Sequence, residues 1–148
     1  MSVFNSLISI FSRKRASTIS ENEWKALQRA VSQGHGPSMR ALLAAGANAN
    51  ERYSDGWTPL MMSAGKGHID VVRVLLEAGA NVNARAHDNA TALIMATLRG
   101  STEVVQTLVD AGADIHVQTD AGVTALMAAQ KKGDTDIVKL LRQAGAKR

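Results

Sequence analysis

The chain carries four histidines, His35, His68, His87 and His116. Histidine titrates near neutral pH and is the commonest metal ligand, so these four are the first residues to test for chemistry. No two of them have metal-ligand spacing with a carboxylate or thiolate partner, and the chain has no cysteine at all. The glycines are spread one per turn and form no phosphate-cradling loop. The carboxylates Asp88, Glu103, Asp110, Asp114 and Asp120 read as a solvated face rather than an acid–base pair. No catalytic set, metal site or cofactor motif emerges, and a non-enzymatic protein is expected.

The remaining groups suit recognition. Tyr53, the only tyrosine, lies four residues from Trp57, one of two tryptophans. Tyrosine, tryptophan and arginine dominate binding hot spots. The net charge of +4 is unevenly placed. Residues 1–20 carry +3, residues 88–120 carry −4 and residues 121–148 carry +4. A nucleic-acid groove needs a continuous basic stripe, and this distribution lacks one. No apolar run approaches the roughly 20 residues of a transmembrane helix.

What positions these residues is a repeat with a period of thirty-three. GWTPLMMSAGKGHIDVVRVLLEAGANVNAR (56–85) is followed by NATALIMATLRGSTEVVQTLVDAGADIHVQ (89–118) and GVTALMAAQKKGDTDIVKLLRQAGAKR (122–148). Thr58, Thr91 and Thr124 align, as do Leu60, Leu93 and Leu126, and Gly67, Gly100 and Gly133. A divergent fourth copy, 25–50, keeps Leu27, Gly34-His35, Leu42-Leu43, Gly46-Ala47, Asn48 and Asn50, but lacks the Thr-Pro pair.

One unit reads plainly. Thr58-Pro59 starts a helix with a capping hydroxyl and a ring-fixed φ. Gly67 ends that helix. Residues 69–78 form a second one, with Val71, Val72, Leu75 and Leu76 at helical spacing. Gly79 stops it in a left-handed conformation. The chain then runs extended and turns at Gly56, Asn89 or Gly122, where asparagine is tolerated because it visits the left-handed region. Ser20-Glu21-Asn22-Glu23 reads as a capping box for the first helix. Two such short helices cannot bury their apolar faces alone, but stacked neighbours can.

Period, glycines, helix residues and the GA-x-x-N ending together resemble the ankyrin repeat family over about 22–148, with TALM-type units similar to bacterial members. The expected architecture is all-α: a solenoid of four stacked helix-turn-helix units joined by short turns or hairpins, 21–52, 53–85, 86–118 and 119–148. His35 and His68 fill the family's structural Gly-His position. The family's usual histidine after Thr-Pro-Leu is replaced by Met61, Ile94 and Met127, so the junctions are expected to rely more on packing.

The resemblance implies a protein partner held on the concave side, by turn tips and the exposed ends of first helices. The matching positions are Arg52, Tyr53, Ser54, Asp55, Trp57, Gly65 and Lys66 in the second unit. They are Arg85, His87, Asp88, Ala90, Leu98 and Arg99 in the third, and Gln118, Asp120, Val123, Lys131 and Lys132 in the fourth. Tyr53, Trp57, Arg85, Leu98 and Arg99 are expected at the centre. A competing structural role has Trp57 packing on its neighbouring turn, since Trp24 holds the same position one unit earlier. Lys131-Lys132 also suits a soluble cap.

Residues 2–12 form a second candidate element. On a helix, Val3, Phe4, Leu7, Ile8, Ile10 and Phe11 fall within an arc of about 160°, and serine and asparagine fill the rest. Arg13-Lys14-Arg15 and a polar linker, 13–20, follow. This amphipathic segment suits docking into a partner's groove through Val3, Phe4, Leu7, Ile8 and Phe11, or folding back over the first repeat. An uncharged polar face is poor for a lipid surface, but the basic cluster keeps a membrane-peripheral adaptor as an alternative. A targeting role is a further alternative, as is a nucleic-acid binder using the basic termini. The expected location is cytoplasmic and no small-molecule substrate is implied.

Overall fold

The computed structural model describes residues 20–145. The predicted N-terminal amphipathic helix, with Val3, Phe4, Leu7, Ile8 and Phe11, lies outside the described residues. Eight helices are described, in four antiparallel pairs. They are α1 (Glu21–Gln33) and α2 (Gly36–Ala44), α3 (Pro59–Lys66) and α4 (Ile69–Glu77), α5 (Ala92–Arg99) and α6 (Thr102–Asp110), α7 (Ala125–Lys132) and α8 (Thr135–Gln143).

The starts follow the sequence. Thr58, Thr91 and Thr124 each accept a hydrogen bond through Oγ1 from the backbone N–H three residues on, at 3.2–3.3 Å. Such a cap is worth about 1 kcal/mol. Helix α1 starts differently. Ser20 Oγ accepts from the Glu23 N–H, and Glu23 Oε2 accepts from the Ser20 N–H. This capping box replaces the missing Thr-Pro start, so α1 runs for 13 residues where its counterparts run for 8. Helix α4 ends in a Schellman motif: Ala80 N–H donates to the Leu75 carbonyl and Gly79 N–H to that of Leu76.

First helices stack on first helices, and second on second. From the second repeat onward the first helices pack more closely on one another than the second helices do. Small residues allow that approach: Ala64, Ala92, Ala96, Ala125 and Ala129 are fully covered. Between the layers lie Leu60, Val71, Val72, Leu75, Leu93, Val105, Leu108, Leu126, Ile137 and Leu141. Burying each of the larger side chains contributes roughly 1.5–3 kcal/mol. Met61 and Ile94, which stand where the resemblance leads one to expect a histidine, are buried. Met127 has no following repeat among the described residues and is 46% exposed.

Each pair is linked to the next by a tight hairpin tip. Tyr53 N–H donates to the Trp57 carbonyl at 2.8 Å and Gly56 N–H to that of Tyr53 at 2.9 Å. The pattern recurs at Ala86–Ala90 and Thr119–Val123. Gly56, Asn89 and Gly122 all have positive φ (83°, 63° and 78°), as this three-residue hairpin loop requires. The tips join one another: His87 N–H donates to the Asp55 carbonyl and Asp120 N–H to that of Asp88. Arg40–Glu77 and Arg73–Glu103 ion pairs cross the outer layer at 3.0 and 2.8 Å. Both are exposed and worth at most about 1 kcal/mol each.

Candidate functional site

Tyr53 and Trp57 are the first and last residues of the second repeat's hairpin tip, so its backbone pairing fixes their separation. Asp55 Oδ1 accepts from the Trp57 N–H at 3.1 Å and stiffens the tip. The tyrosine ring meets Trp24 edge to face, with the planes 85° apart. Trp24 lies inside α1, so it does not repeat the role of Trp57. The expected equivalence of the two tryptophans fails because the capping box carries α1 back through the positions that form a hairpin tip elsewhere. Burial raises the Tyr53 phenol well above its usual pKa, and the Asp55 carboxylate adds to the rise. Its hydroxyl is therefore neutral at physiological pH. No hydrogen-bond partner for it is found among the described residues.

Between this tip and the ends of α3 and α5 opens a cleft of about 580 Å³. Tyr53, Asp55, Trp57, Met62, Gly65, Lys66, Met95, Leu98 and Arg99 line it. Leu98 is 46% exposed; only it and Met127 are large apolar residues so exposed among those described. A second hollow of about 340 Å³ lies one repeat further on, lined by Asp88, Ala90, Ile94, Met95, Leu98, Thr119, Asp120, Ala121 and Val123. Met95 and Leu98 line both, so the two form one groove with a low apolar divide. Gly65 opens the first hollow: leucine stands one repeat later, at Leu98. Ala90 opens the second, where the preceding repeat has Trp57.

The groove's lips differ in charge. The hairpin tips contribute Asp55, Asp88 and Asp120, and the C-terminal ends of the first helices contribute Lys66 and Arg99. Cations at helix C-termini are favoured by the macrodipole. An apolar floor between an acidic and a basic lip suits a polypeptide segment with an apolar face.

Of the residues expected on the concave side, Tyr53, Asp55, Trp57, Lys66, Leu98 and Arg99 converge in the first hollow. Asp88, Ala90, Asp120 and Val123 converge in the second. Gly65 lines the first hollow as well, and the remaining expected positions line neither. Arg52 Nη1 donates to the Gly56 carbonyl at 3.1 Å and to the Arg85 carbonyl at 2.9 Å, which ties two tips together. The His87 imidazole lies on Gly56, where a side chain would collide with it. Lys132 Nζ donates to the Leu98 carbonyl, across the repeat junction. Arg85 and Lys131 are exposed outside both hollows. Met62 and Met95 were not anticipated. Their thirty-three-residue spacing, just past the buried Met61 and Ile94, is the signal that marks them.

His35 and His68 are structural. His35 Nδ1 accepts from the Ser38 N–H at 3.2 Å and caps α2. His68 Nε2 lies 3.3 Å from the Ser32 carbonyl of the preceding repeat. Among the described residues, no three histidine or acidic side chains converge as a metal site would need. No helix among them is long and apolar enough to cross a membrane.

A family model described as ankyrin repeats (3 copies) matches residues 2–86 and 83–147. No curated protein matches the chain.

Proposed function

Because the chain belongs to the ankyrin-repeat family, whose members are generally protein–protein interaction modules, we propose that it is a non-enzymatic adaptor, scaffold, or assembly or inhibitory factor. Its groove across the second to fourth repeats holds an apolar segment of a partner protein. The observation that carries this reading is Leu98. It stands 46% exposed on the divide between two hollows, beside Met95 and across from Tyr53 and Trp57. An exposed apolar side chain alone is ordinary. One flanked by two half-buried methionines and two aromatic rings is the anatomy of a hot spot, since methionine adapts to varied side chains and aromatics supply rigid contact area. The acidic lip argues for a polypeptide over a phosphate backbone.

The test is a photo-crosslinking side chain placed at position 98, with position 106 on the outer layer as control. A partner crosslinked at 98 and not at 106, and lost from Leu98→Asp in affinity capture, supports the reading. Equal crosslinking at both positions, or undiminished capture by Leu98→Asp, removes it.

A further inference from the structure

A cation stands at the same place in each of the last three repeats. Lys66, Arg99 and Lys132 are the final residues of α3, α5 and α7, and Lys131 adjoins the last of them. All four are exposed. The fold seats two of them. Each of these helices ends on a left-handed glycine, and the next repeat's cation leans over the first two of those glycines. Arg99 Cγ and Nε lie 3.6 Å from where a Cβ on Gly67 would stand, and Lys132 Nζ lies 3.5 Å from that point on Gly100. Lys132 Nζ also donates to the Leu98 carbonyl. That bond uses one of three ammonium N–H groups and holds the charge in place. The cations thus form a column along the short loops, with a step of about 8–10 Å set by helix packing.

Among the described residues no member of the column is in an ion pair, whereas Lys25, Arg40 and Arg73 on other faces each are. The carboxylates where the second helices begin do not neutralise it. Asp134 Oδ1 caps α8, Glu103 pairs with Arg73, and Asp70 packs on Gly36 in the outer layer. The column's period also has a match in polypeptide geometry. A polyproline II strand has three residues per turn and a rise of about 3.1 Å, so every third side chain returns to one edge after about 9 Å. Asp55, Asp88 and Asp120 on the opposite lip repel a polyanion broad enough to cover both lips, such as a duplex with one negative charge per about 1.7 Å of axis. A single strand with one acidic edge clears them.

We propose that Lys66, Arg99, Lys131 and Lys132 bind an extended acidic segment of a partner protein, with a carboxylate at every third residue. The inference rests on the docking reading in taking a polypeptide as the partner, and it names the charge and spacing of the part that lies on the basic lip. Exposed charge pairs are screened by salt, so the column contributes specificity and encounter rate more than raw affinity.

The test titrates the isotope-labelled full chain with a peptide of four Glu-Pro-Pro units at low salt, following backbone amide signals. The expected result is a shift of Gly67, Gly100 and Gly133, the glycines that end the three helices, weakening as salt is raised. Lys66→Gln/Arg99→Gln/Lys132→Gln should stay folded and lose about tenfold in affinity, about twofold for each exposed pair. A peptide of the same composition with its four glutamates adjacent should bind more weakly. No binding, shifts confined to other residues, or undiminished binding by the triple variant overturns the proposal, and leaves these cations only the stabilising of their own helix ends. Equal affinity for the two peptides overturns it too, since charge without spacing then suffices. So does a single-stranded DNA of equal charge that shifts the same signals more tightly, because the column then reads a phosphate backbone. If the peptide fails while Leu98→Asp loses its partner, this inference falls and the docking reading stands. If the peptide binds as expected while Leu98→Asp captures normally, the apolar groove falls as the partner's seat and the basic column stands.

Discussion

The Asn81 N–H donates to Asn50 Oδ1 at 2.6 Å, across the junction of the first two repeats. Asn50 Nδ2 in turn donates to the Gly79 carbonyl at 3.2 Å. One side chain thus satisfies an acceptor and a donor of the next repeat. Asn83 repeats the arrangement one unit on, with the Gly112 carbonyl and the Asp114 N–H at 3.2 and 2.7 Å. This edge joins neighbouring repeats by hydrogen bonds, while the layers join them by packing.

Asn50→Ala and Asn83→Ala should therefore each lower stability by about 1–2 kcal/mol, two exposed hydrogen bonds at the lower end of their usual worth. Asn48→Ala should cost less, because among the described residues Asn48 Oδ1 accepts only from Asn50 N–H within its own loop. Urea unfolding midpoints of the three variants check the order. Equal losses would mean that the inter-repeat bonds add nothing.

Gly34 is held at φ 63°, and a Cβ there would lie 2.5 Å from His68 Nδ1. Gly133 has φ 71° with open space around it. Both glycine-to-alanine changes incur the left-handed cost of about 1–2 kcal/mol. Gly34→Ala should cost about 1 kcal/mol more, since His68 must give up its contact with the Ser32 carbonyl. In a His68→Ala background the two should converge. Thermal unfolding of the four variants measures that difference.

The Tyr53 phenol has a raised pKa, so the folded chain holds this proton more tightly than the unfolded chain does. The sign follows: its contribution to stability is complete below about pH 10, the unfolded value, and is lost as pH rises above it. Tyr53→Phe should remove that alkaline loss. At pH 7 it should be neutral or stabilising, because the hydroxyl has no hydrogen-bond partner among the described residues to lose. Stability of both proteins from pH 7 to 11 provides the check. Parallel curves would show that Tyr53 does not titrate with unfolding.

The repeat was legible because it rests on local signals: capping threonines, terminating glycines and apolar spacing, each repeated in register. Asn89 at φ 63° was readable for the same reason, since its neighbours in the repeat are Gly56 and Gly122. The fate of the long side chains was not. Arg52, Lys132 and His87 have the residue types of a binding face, yet they are drawn onto neighbouring carbonyls and a neighbouring glycine. Those contacts arise between residues thirty or more apart, and no local spacing encodes them. Met62 and Met95 escaped notice because methionine beside a buried core position reads as more core. Only the stack shows that they face the opening between Trp57 and Leu98.

Gly65 offers a test that separates the groove's shape from the fold's stability. It lies inside α3, where glycine is less favourable than alanine by about 0.5–1 kcal/mol. A Cβ added there would meet only Met95 Cβ at 3.7 Å, an ordinary contact. Gly65→Ala should therefore stabilise the protein by about that amount and leave partner affinity within about threefold, because one methyl group barely intrudes on a hollow of about 580 Å³. Gly65→Leu should fold as well, but its side chain would occupy the first hollow, as Leu98 does one repeat further on. Losing a hot-spot pocket costs about 2 kcal/mol or more, a roughly thirtyfold loss of affinity. Calorimetric titration of the partner found by crosslinking, beside urea unfolding of both variants, distinguishes the cases. A Gly65→Leu protein that is stable and binds at full strength would place the partner elsewhere than between Tyr53 and Leu98.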